Sequence, residues 1–137
     1  MAEAGDRRPI AARHTRPAIW LAGRLIRAGV SPNAISLAGM AAGIGAGLAM
    51  AAIAWAPPVA RPLWLLAALL LQLRLLANLL DGMVAIGRGV ASARGELFNE
   101  VPDRVSDSAI LIGLGIKAEM PWLGFAAALA AMATAYV

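Results

Sequence analysis

Apolar residues run along this chain in long blocks, separated by prolines, glycines and short charged turns. The first patterned block follows Pro17, a residue suited to a helix's first turn, where its missing N–H has no partner to lose. Ala18, Ile19, Leu21, Ala22, Leu25 and Ile26 share one helical face, and Arg24 and Arg27 lie opposite. That pattern predicts an interfacial amphipathic helix, apolar side in a membrane and arginines toward phosphates. Gly29 is placed to end it. Ser31-Pro32-Asn33 opens the next helix, with Ser31 as N-cap and Pro32 in the first turn. Residues 33–56 carry no charge, and at helical rise they reach about 36 Å, enough to cross a bilayer. Gly39, Gly43 and Gly47 recur every fourth residue there, a smooth face for close helix contact.

Pro57 and Pro58 break the pattern, and residues 62–86 form a second apolar span. Gly87 to Arg94 reads as a short basic loop. Residues 95–116 form a third span with an acidic first half, and Lys117-Ala118-Glu119 is a turn. Pro121 opens a fourth apolar segment, read as incomplete because it stops at Val137. No apolar/polar alternation runs long enough for a strand. The expected fold is therefore all-α. It is a polytopic transmembrane bundle, with an N-terminal interfacial amphipathic helix plus four transmembrane segments, the last incomplete. Residues 1–16 are expected to be a basic tail and 17–137 the membrane-embedded domain.

Composition agrees with a membrane setting. Hydrophobic residues make up 61% of the chain and charged ones 15%, against roughly a quarter charged in soluble domains. Cysteine is absent, which excludes disulfides and thiolate metal sites. The net charge of +4 in so apolar a chain points to anionic lipid headgroups or anionic substrates rather than nucleic acid. Arg7, Arg8, Arg13 and Arg16 have no apolar run among them, so the N-terminus is not a signal peptide. Arginines before the first span, and Arg88 and Arg94 after the second, put the N-terminus and the 87–94 loop on the cytoplasmic side. The expected location is a bacterial inner membrane. Trp20, Trp55, Trp64 and Trp122 fall near span ends, as interfacial anchors do.

Against this background one stretch stands out. Five of the eight acidic residues lie between Asn78 and Asp107, and intramembrane acids are functional by default. Asn78 and Asp81 are spaced i, i+3, with Arg74 one turn earlier. Asn99, Asp103 and Asp107 are spaced i, i+4, i+8, with Glu96 just before them. A short loop between the two helices predicts antiparallel neighbours whose polar sets meet at one depth. Oxygen donors of this kind suit Mg²⁺, Mn²⁺ or Ca²⁺ rather than zinc. Gly82 and Gly95 leave room at the rim for a ligand to approach backbone. Arg74 has two open roles, a counter-ion for Asp81 or a contact to a substrate phosphate.

The spacing of these residues resembles the CDP-alcohol phosphatidyltransferase family, whose pattern is D-x2-D-G-x2-A-R-x8-G-x3-D-x3-D. The four acidic positions fall on Asn78, Asp81, Asn99 and Asp103, the glycines on Gly82 and Gly95, and the alanine on Ala85. Three positions depart from it: Asn78 and Asn99 are amides, and Ile86 stands where the pattern has arginine. The resemblance is therefore to a divergent branch. It implies a metal site of Asp81, Asn78, Asn99 and Asp103 holding Mg²⁺ or Mn²⁺, with Glu96, Glu100 and Asp107 as candidates to compensate for the amides. It implies Asp103 as the general base and Gly82, Ala85, Gly95 and Arg74 on the substrate. The implied reaction transfers a phosphatidyl or phospho-alcohol group from a CDP-linked lipid, CDP-diacylglycerol in the usual case, to an alcohol acceptor with release of CMP. A homodimer embedded in the bilayer is implied too. The substitutions keep a second class open, a catalytically degenerate member acting as a membrane assembly partner. A third is a cation-binding membrane carrier, against which stands the confinement of polarity to one half of the membrane.

Overall fold

The computed structural model describes residues 15–90 and 93–135, with side chains over 15–90 and 100–134. All of its regular structure is helical. Helix α1 spans Arg16–Arg27, α2 Pro32–Ile53, α3 Ala60–Gly87, α4 Ala93–Lys117 and α5 Pro121–Ala135, with a 3-10 turn at Pro57–Val59 before α3.

The helix starts and stops follow local chemistry. Ser31 caps α2 by accepting the Ala34 N–H at 3.2 Å, and Pro32 occupies its first turn. Gly29 and Gly89 take φ of 73° and 67° just past α1 and α3. In both turns the next residue's N–H reaches back to the helix, Val30 to Leu25 and Val90 to Ala85, each at 3.1 Å. This is the left-handed helix ending that glycine adopts without steric cost.

Helix α2 is the centre of the bundle. It packs along both α3 and α4; α5 packs on α4, and α1 lies on α3. The glycine stripe makes this packing close. A Cβ at Gly39 would stand 2.8 Å from the Ala77 Cβ of α3. Gly47 meets the α4 backbone at Ala109, and a Cβ at Gly113 would stand 2.7 Å from the Gly47 carbonyl carbon. The smooth face expected from the sequence is thus used on two sides. The polar sets of α3 and α4 meet, as expected, through Arg74 and the Asp103–Asp107 pair, while among the described residues α2 takes up the main apolar surface of each helix.

The expectation of four membrane segments is corrected. Among the described residues, two helices are long and apolar enough to cross a membrane. They are α2, with hydropathy 1.7, and the 31 residues Pro57–Gly87, with hydropathy 1.9. Helix α4 has the length, but Arg94, Glu96, Glu100, Asp103, Arg104 and Asp107 fall within it, too much charge for an apolar span. Helix α5 is apolar, and its described part, Pro121–Ala135, is 15 residues, so it is not among the two candidate spans of the described residues. The result is an all-α, five-helix protein with apolar helices suited to membrane association. Leu65, Leu69, Leu73 and Leu75 are all exposed along α3, and an apolar face this long is not a normal water-facing surface.

Most of α1's apolar face is occupied by protein. Ala22 joins Ile35, Ala77, Leu80 and Val84 in a core that Leu21, Leu25 and Ile26 pack against. Ile19 and Trp20 remain outside, with Arg24 stacked over the Trp20 ring at 5.1 Å. Arg88 fastens the end of this helix by donating to the Gly29 and Val30 carbonyls at 3.2 and 2.9 Å. All four tryptophans are exposed, as anchors at a membrane interface would be.

Candidate functional site

The site is assembled from three helices. From α2 comes Ser36, buried among apolar neighbours. Its hydroxyl donates to Asp81 Oδ2 at 2.8 Å. The other Asp81 oxygen accepts the Gly82 N–H. Asp81 is itself buried. A buried carboxylate needs such donors, because desolvation without them costs several kcal/mol, on the order of the penalty for an unpaired ion.

One turn earlier on α3, the Asn78 amide lies on the side of Asp103 of α4 and favours the charged form of its carboxyl. Arg74, a further turn back, is buried and also crosses to α4. Its Nη2 lies 2.7 Å from Asp107 Oδ1, 3.8 Å from Asp103 Oδ1, and donates to the Asp103 carbonyl at 3.4 Å. Gly43 of α2 opens the way. A Cβ there would stand 2.6 Å from the Ser106 Cβ and 3.1 Å from the Arg74 Cδ. Arg74 acts as a counter-ion, but to Asp107 and Asp103 and not to Asp81, the partner expected for it. On α4 itself, Arg104 reaches Glu100 and Asp107, both at 3.8 Å. Pro102, inside α4, has no N–H to give. Its carbonyl accepts the buried Ser106 hydroxyl at 2.7 Å, so Ser106 bonds within its own helix.

The structure therefore brings Arg74 and Asn78 to Asp103 and Asp107, with Asp81 one turn from Asn78 on the same helix. Glu100 joins only through Arg104. Gly82 and Ala85 are half-buried on α3 beyond Asp81, while Ile86, at the pattern's arginine position, is exposed. Asn99, Glu96 and Gly95 lie on the α4 backbone, and their side chains are outside the described residues. Ser36 was not identified from the sequence. The signal was there: Ser36 is the one polar side chain between Asn33 and Trp55, and it precedes Gly39, Gly43 and Gly47 on the same face.

The donor types are those a hard divalent cation takes, but the arrangement of the described residues does not make a cage for one. No three His, Cys, Asp or Glu side chains among them converge on a common point. Asp81 is bonded to Ser36 and Gly82, and Asp107 to a guanidinium. No family model, curated protein or solved structure compared with this chain matches it.

Proposed function

We propose that this chain acts on a CDP-linked lipid at a membrane surface, transferring its phosphatidyl or phospho-alcohol group to a hydroxyl acceptor and releasing CMP. One observation carries this reading. Two sequence-distant halves of the family-like pattern, Asn78 and Asp81 on one helix and Asp103 on another, are brought together by Arg74, one turn before Asn78, which reaches Asp103 Oδ1 at 3.8 Å and donates to its carbonyl at 3.4 Å.

The chemistry assigns work to residues of this chain. The acceptor's O–H attacks the donor's β-phosphorus, the P–O bond to CMP breaks, and the acceptor's proton passes to the Asp103 carboxylate. Asp103 is half-exposed, at 38% of its side chain, so an acceptor can reach it. Arg74 fixes its orientation, which keeps the base in hydrogen-bonding reach of the hydroxyl. Asp81, held rigidly by Ser36, orients the other side of the site. The exposed leucines of α3 face lipid, and the arginines of α1 meet the headgroups. On this reading the N-terminus and the site are cytoplasmic, following the arginine distribution.

Purified protein in lipid nanodiscs is expected to release CMP from CDP-diacylglycerol when glycerol phosphate, inositol phosphate or serine is supplied in the presence of Mg²⁺ or Mn²⁺. Absence of CMP release with every acceptor, from protein shown to be folded and to bind the donor, would contradict turnover. That outcome favours a second reading with its own support. Asn78 and Asn99 replace carboxylates, and Arg74 and Ser36 saturate much of what remains, which is what a non-catalytic membrane assembly partner would show.

A further inference from the structure

The acidic cluster contains a cation of its own. Arg74 lies on α3 with only 10% of its side chain exposed, and its Nη2 faces Asp107 at 2.7 Å and Asp103 at 3.8 Å. Its Nε is buried without a hydrogen-bond partner, so the end of the side chain is directed wholly at α4. The position is built rather than incidental. Gly43 supplies the gap through which the side chain passes, with the Arg74 Cδ 3.1 Å from where a Cβ would stand. The same Nη2 also donates to the Asp103 carbonyl at 3.4 Å. Arg104 covers the remaining Asp107 oxygen, Oδ2, at 3.8 Å. Each carboxylate of this pair thus already faces a positive charge.

We propose that Arg74 is the resident cation of the Asp103–Asp107 pair and excludes a divalent ion from it. Any metal that binds this protein then does so without Asp107 as a ligand. The pair's charge is neutralised by a guanidinium that cannot lose its proton, and a metal entering there would have to displace it into apolar surroundings. This deepens the functional reading, in which Asp103 must be held in place yet remain free to take a proton. Arg74 acts as a positioning residue, through Asp103, without touching the reacting atoms. The inference stands on ion binding alone and does not require turnover.

The test is a Mn²⁺ titration of the full chain in nanodiscs, followed by the loss of the free-ion electron paramagnetic resonance signal. Arg74→Gln is expected to bind Mn²⁺ at least tenfold more tightly than the wild type, or to bind one further ion. Arg74→Lys, which keeps the charge, is expected to leave binding within threefold of the wild type. Asp107→Asn is expected to do the same, because Asp107 is not a ligand. This variant keeps the proposal open to test should Arg74→Gln fail to fold. Unchanged Mn²⁺ binding in folded Arg74→Gln would overturn the proposal, and so would a tenfold or greater loss in Asp107→Asn. Failure of CMP release affects neither result.

Discussion

Asp103→Ala is expected to lower CMP release by about 10²- to 10⁴-fold, the usual contribution of a positioned general base. The protein should stay folded. The Asp103 side chain is 38% exposed, and the closest ion pair in the cluster, Arg74–Asp107 at 2.7 Å, does not depend on it. Removing Asp103 takes away the proton acceptor and a carboxylate that faces Arg74 of α3 at 3.8 Å. Asp107→Ala should cost less in rate, since Asp107 touches Arg74 and Arg104 rather than the acceptor. It should cost more in stability, because it leaves a buried guanidinium with a weaker partner. Rates from single-turnover CMP release, paired with thermal melts in the same nanodiscs, separate the two effects. Asp103→Ala activity within threefold of an active wild type would remove Asp103 from the chemistry.

Gly113→Leu should be the most damaging change away from the polar cluster. At this crossing α2 and α4 meet backbone to backbone. A Cβ on residue 113 would stand 2.7 Å from the Gly47 carbonyl carbon and 2.8 Å from its Cα. Nothing there is a flexible side chain end that could swing aside, so the helices themselves must part. Overpacking of this kind costs about 1–3 kcal/mol or more, on the order of 5–10 °C in Tm for a domain of this size. The damage should spread to the site, because α2 carries Ser36 and Gly43 on the same face. Gly45→Ala, on α2, is the control. The nearest atoms to its new Cβ are the Leu70 methyl groups at 3.2 and 4.0 Å, which can move, so its Tm should shift by less than half as much. Equal melting temperatures for the two variants would mean that α2 and α4 do not pack as described.

Much of the local structure was legible in the amino-acid order. Pro17, the Ser31-Pro32 pair and the Pro57-Pro58 break mark helix starts because proline and serine act within one turn of where they stand. The close-contact role of Gly39, Gly43 and Gly47 followed from their period. The number of spans did not follow, because apolar length was counted in α4 without weighing the six charged residues from Arg94 to Asp107. Nor did the order of packing. A short connection brings chain ends together, but it does not say which faces are thin enough to pack, and the glycines gave that surface to α2. The site was legible as spacing. Its wiring was not, since nothing local to Arg74 distinguishes Asp107 from Asp81 as a partner, and Ser36 lies 45 positions from the carboxylate it serves.

The claim on which the rest depends is that the two halves of the acidic stretch form one site. With no native cysteine in the chain, Asn78→Cys/Asp103→Cys can be treated with a short-arm bis-thiol reagent in native membranes and weighed intact. Leu75→Cys/Asp103→Cys serves as comparison, with Leu75 exposed on α3. The expected result is a single bridging reagent in the first pair and two separate adducts in the second. Two separate adducts in the first pair would contradict it.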